Sequence, residues 1–117
     1  MVQREREYHL LLELREAIRT SEITRELAFS QAVDARASTI RQIEFRHAPS
    51  MRAQGEQIHS ELTIARGAAR NRIEKRAAVE KSFTARVQLI ENEHAARLET
   101  IAADYLARLE ALRADRP

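Results

Sequence analysis

The chain has 117 residues, room for at most one ordinary domain, and with no Cys it excludes disulfides, thiolate metal sites and cysteine nucleophiles. Aromatics make up only 4% and Trp is absent, so the large side chains suit thin helix-on-helix seams and not a thick globular core. Gly and Pro occur twice each amid abundant Ala, Arg, Glu and Leu, the composition of long helices, and a net charge of +2 conceals an uneven distribution.

Residues 1–7, in MVQREREYH, alternate charge signs and are expected to fray. They lack the apolar core of a secretory signal, and their acidic residues speak against a mitochondrial presequence. The longest run of large apolar residues, Leu10-Leu11-Leu12, is far short of the ~20 needed to span a bilayer. No membrane partner is expected, and a cytoplasmic location is the default.

From Tyr8 to His47 no Gly or Pro interrupts the chain. Apolar residues recur at Leu11, Leu14 and Ile18, then Ile23 and Leu27, then Val33, Ala37, Ile40 and Ile43, mostly three or four apart, as an amphipathic helix requires. The stripe changes face around Thr20-Ser21, which predicts skewed packing or more than one partner there. Arg46 and His47 suit the C-terminal dipole of a first helix over 8–47, about 60 Å long.

His47-Ala48-Pro49-Ser50 is the best break. Pro49 lacks a backbone donor and disfavours helical geometry at Ala48, and Ser50 is a suitable N-cap. With Gly55 close behind, a turn over 48–55 is expected; the alternative is one continuous helix kinked at Pro49.

The second helix is expected over 56–115. Ile58, Leu62, Ala65, Ala69 and Ile73 continue the helical spacing, followed by Phe83, Val87, Ile90, His94, Leu98, Ile101, Tyr105, Leu109 and Leu112. Gly67 costs a helix interior about 1 kcal/mol relative to Ala. With Ala65, Ala68 and Ala69 it forms either a thin patch for a close backbone approach or a mildly weakened surface turn.

Three consecutive blocks of eleven organise the last third: ARVQLIENEHA from Ala85, ARLETIAADYL from Ala96 and ARLEALRADRP from Ala107. Each opens Ala-Arg-aliphatic (Val87, Leu98, Leu109) with a second aliphatic three places on (Ile90, Ile101, Leu112). Eleven residues make three turns at about 3.67 residues per turn, so such a stripe runs nearly straight. If the chain turns near 48–50, Tyr8 and Leu11 lie near Val87 and Ile90, and the last two repeats project about 30 Å past the first helix. An unpartnered apolar stripe marks an interaction surface. Val87, Ile90, Leu98, Ile101, Tyr105, Leu109 and Leu112 are therefore the candidate partner-binding residues.

Charge adds a weaker signal. Residues 48–81 carry seven basic and four acidic groups, centred on Arg66, Arg70, Arg72, Lys75, Arg76 and Lys81. These spread around the helix, Glu74 and Glu80 interrupt them, and no aromatic residue is close until Phe83. A solvated face or an acidic protein surface fits this better than nucleic acid, although clustered Arg neutralises phosphates.

Two Glu-x-x-His spacings, Glu56/His59 and Glu91/His94, match the di-metal pattern of ferritin-like bundles. The two pairs fall on one expected helix, roughly 50 Å apart. They converge only between subunits or across a break near Gly67, so the plain reading leaves His94 in the seam and His59 on the surface. Gly-rich phosphate loops, His-Glu-x-x-His and nucleophile elbows are missing, so no enzyme and no cofactor is expected.

The sequence thus predicts an all-α, elongated antiparallel helical hairpin or coiled coil with a longer second helix. Its expected role is a non-enzymatic structural or adaptor subunit of a cytoskeletal, axonemal or secretion-type assembly, docking on other subunits or on its own copies through the C-terminal helix. The alternatives are an oligomeric metal-binding bundle and a small nucleic-acid-associated protein.

Overall fold

The computed structural model describes the backbone of residues 2–53 and 60–115 and the side chains of 2–45 and 65–115. Two helices, α1 (Val2–Ala53) and α2 (Ser60–Ala114), form an all-α helical hairpin. α1 begins at Val2, and its first turns are tied to the end of α2. Gln3 Nε2 donates to the Leu112 carbonyl at 2.8 Å, one of the last α2 carbonyls left without an intrahelical donor. Asp115 N–H caps the Ala111 carbonyl at 3.2 Å.

α1 also runs on through most of the 48–55 turn read from the sequence, as far as Ala53, and the rest of that turn lies outside the described residues. α1 runs through Pro49 to Ala53 and α2 starts at Ser60. A proline costs a helix interior about 3 kcal/mol. Near the end of a 52-residue helix, that loss is set against a further turn of backbone hydrogen bonds. Gly55 lies outside the described residues.

Contacts divide the chain into two compact units. The first unit joins Met1–Phe29 to Gln88–Pro117. Its helices are antiparallel, with Glu7 bonded to Arg113 (3.3 Å), Glu13 to Arg108 (2.6 Å), Ser21 to His94 (3.0 Å) and Arg25 to Glu91 (3.6 Å). The later reversal moves the register roughly 30 Å along α2 from the expected one. The last two repeats therefore do not project alone; they lie against the first half of α1. Leu10, Ser21, Ile90 and His94 are buried, while Leu14, Ile18, Leu98, Ile101, Tyr105, Leu109 and Leu112 are half-buried.

The second unit, Ser30–Val87, is also antiparallel. Arg36 pairs with Glu80 at 2.8 Å, and Glu44 receives both Arg72 (3.5 Å) and Arg76 (3.2 Å). Ala32 and Ile43 are buried, with Ala37, Ile40, Val79, Phe83 and Val87 half-buried around them.

The eleven-residue period governs both helices. The buried α1 positions are Leu10 and Ser21 in the first unit and Ala32 and Ile43 in the second, each eleven from the next. On α2, Ile90, Ile101 and Leu112 keep that interval, as do His94 and Tyr105. The change of face near Thr20-Ser21 now has a cause. In the first unit the covered side of α1 runs through Ser21, Arg25 and Ala28, whereas Ile23 and Leu27 point outward and are exposed. Ile73, expected on the α2 stripe, is exposed as well.

Candidate functional site

The first unit carries a polar centre. Ser21 and His94, 4% and 7% exposed, are the buried polar side chains among the described residues. Ser21 stands on the core line of α1, and His94 is one turn beyond Ile90 on the core line of α2. Ser21 Oγ lies 3.0 Å from His94 Nδ1 and accepts from Arg97 Nε at 3.1 Å. The tautomer of the ring sets which of Ser21 and His94 donates. Arg97 is three residues from His94 on the same face, so one serine hydroxyl satisfies two α2 side chains.

A serine beside a histidine pairs a hydroxyl with a base, and Ser21, though 4% exposed, borders the groove described below. The neighbouring mid-helix N–H groups are committed to the helix. The chemistry that fits is register control. Sliding one helix along the other strands a histidine and a serine in an apolar seam, and unpaired buried polar groups are costly.

Beside this centre a shallow groove of about 650 Å³ runs between the helices of the first unit. Small side chains make up its floor, Ala17, Thr20 and Thr24 on α1 and Ala96 and Thr100 on α2, while Glu13, Glu16 and Arg97 also line it and Ser21 reaches it from the polar centre. The small side chains let a further helix approach closely.

Of the expected partner-binding residues, Ile90 is buried in the hairpin itself, and Val87, Leu98, Ile101, Tyr105, Leu109 and Leu112 keep one half-exposed flank. The basic cluster is partly spent within the second unit. Arg72 and Arg76 bind Glu44, whereas Arg66, Arg70, Lys75 and Lys81 make no ion pair among the described residues. Arg36, outside the expected cluster, lies 4.8 Å over the Phe83 ring as well as on Glu80.

For the metal pattern, Glu91 binds Arg25 and His94 binds Ser21, while Glu56 and His59 lie outside the described residues. No group of three or more His, Asp or Glu side chains gathers among the described residues. Sequence reasoning missed Ser21 because a lone serine carries no periodic signal. Its place eleven residues after Leu10 and before Ala32 was the available clue.

Fold and site together define an all-α helical hairpin with a buried Ser21–His94 pair in the seam of its first unit. Compared with known families, curated proteins and solved structures, the chain has no match. No described helix is long and apolar enough to cross a membrane.

Proposed function

We propose that the chain is a non-enzymatic structural or adaptor subunit of a larger protein assembly, of the cytoskeletal, axonemal or secretion-machine type, working in the cytoplasm. The observation that carries this reading is the half-exposed apolar flank of the C-terminal repeats, Leu98, Ile101, Tyr105, Leu109 and Leu112, which a partner can cover.

The groove of small side chains on the first unit is the best-shaped place for that coverage. It is flanked by Ile101, part of the half-exposed C-terminal stripe. A partner helix laid there completes a three-helix arrangement and covers the flank that the hairpin leaves open. The basic side chains Arg66, Arg70, Lys75 and Lys81 add steering towards an acidic protein surface.

The experiment separates groove from seam. Leu98 and Ile101 help to hold the hairpin, so acidic substitutions there confound folding with docking. Ala96→Tyr fills the groove from an exposed position. In extracts of the source cells, the wild-type chain is expected to sediment with a larger assembly, and the equally helical Ala96→Tyr chain to sediment alone. A wild-type chain that sediments alone in those extracts ends the assembly reading.

A further inference from the structure

The outward face of α1 in the first unit carries a second eleven-residue stripe. Tyr8, Leu12 and Glu16 are followed eleven places on by Arg19, Ile23 and Leu27. At three turns per eleven residues these six fall within about 35° of one line, on the side of α1 away from Leu10 and Ser21. The four apolar members are open to water: Tyr8 60%, Leu12 40%, Ile23 53% and Leu27 58% exposed. Glu16 and Arg19 make no ion pair among the described residues, and between Leu12 and Ile23 the face dips into a shallow concavity lined by Arg15, Glu16, Arg19 and Glu22.

The order of this stripe is self-complementary when reversed. Laid antiparallel on a second copy about a two-fold axis between Ala17 and Ile18, Tyr8 meets Leu27 and Leu12 meets Ile23. Glu16 meets Arg19 of the second copy, and Arg15 comes alongside its Glu22 on the same flank. An isologous interface requires this property, one patch that satisfies itself under a two-fold rotation. In parallel alignment, by contrast, Glu16 meets Glu16 and Arg19 meets Arg19.

We infer that α1 pairs with α1 of a second copy of this chain, antiparallel and centred between Ala17 and Ile18. The charged pair in the middle sets direction and register, and the apolar pairs on either side supply the buried area. This face adjoins the groove at Glu16, which lines both, whereas Leu12, Arg19 and Ile23 do not line the groove, so the 12–23 cross-link reads the dimer apart from the assembly.

The test uses the full chain, with mass measured by light scattering and sedimentation across concentration. Wild type is expected to be a dimer at or below about 100 μM. Glu16→Arg places Arg against Arg19 twice in each dimer and is expected to weaken pairing more than tenfold. Glu16→Arg with Arg19→Glu exchanges the charges and is expected to restore it, all three proteins being equally helical because these positions are exposed.

Direction is read by cross-linking, since the chain has no cysteine of its own. Mixing Leu12→Cys and Ile23→Cys chains is expected to give the 12–23 disulfide, with little 12–12 product. A monomeric wild type, a dimer indifferent to Glu16→Arg, a charge exchange that does not rescue, or dominant 12–12 cross-linking each overturns the inference. If the dimer fails while Ala96→Tyr still releases the chain from its assembly, the proposed function survives without it.

Discussion

Replacing Ser21 by Ala removes one oxygen from the seam and leaves two α2 groups to find other partners. Arg97 is half-buried, and its Nε recovers a water at little cost. His94, 7% exposed, has no such recourse on the Nδ1 side, 3.0 Å from the lost hydroxyl. A buried polar group left without a partner costs about 1–3 kcal/mol. Unfolding entropy near 2.1 cal/mol/K per residue, over a chain of this length, makes 1 kcal/mol worth about 4 °C, so Tm should fall by about 4–12 °C.

The same reasoning makes a second, more specific claim. His94→Leu alone removes the ring but leaves the Ser21 hydroxyl bonded to Arg97. Ser21→Ala combined with His94→Leu removes both buried polar side chains and leaves only the half-buried Arg97, whose Nε turns to water. The double variant should therefore be more stable than the sum of the singles implies, with a coupling of at least about 0.5 kcal/mol. Circular-dichroism melts and urea titrations of the four proteins measure it. A Ser21→Ala chain within about 1 °C of wild type, or strictly additive singles, refutes the view that this layer polices register.

Two further substitutions test the second unit. Arg36→Ala removes the 2.8 Å pair with Glu80 and the cation–π contact with Phe83, both partly exposed, and should cost about 0.5–1.5 kcal/mol, or about 2–6 °C in Tm. The ion-pair share should shrink in 1 M NaCl, and a chain indifferent to the change at low salt contradicts the assignment. Gly67→Ala should raise stability by about 0.5–1 kcal/mol, because an added Cβ meets nothing within 4 Å and helix interiors favour Ala. A loss of stability in the isolated chain there would point to a backbone strain that the open surroundings of Gly67 do not suggest.

The sequence made the fold class plain and the register misleading. Long uninterrupted helical spacing needs no tertiary information, and the repeats from Ala85 are visible because large aliphatics mark them. On α1 the same period is written in Leu10, Ser21, Ala32 and Ile43, residue types too dissimilar to announce a repeat. Ile23 and Leu27 looked like core because hydrophobicity alone was counted. Their exposure became evident only when α2 defined which side of α1 is covered.

Pro49 drew the turn several residues too early, and that single displacement turned an intramolecular stripe into a projecting one. The polar centre depends on a pairing 73 residues apart in sequence, and local pattern does not reach across such a gap.

The interval of eleven has an implication for how such a chain can change length. Removing or adding a single residue in α1 turns everything beyond it by about 100°, exchanging covered faces for exposed ones. Removing eleven turns it by three whole revolutions and leaves every face where it was. A helix of this kind is thus graduated in steps of about 16 Å. Taking one step from each helix, at opposed positions, shortens the ladder by one rung while the remaining rungs stay matched. Length becomes a setting adjustable by whole repeats and resistant to small slips.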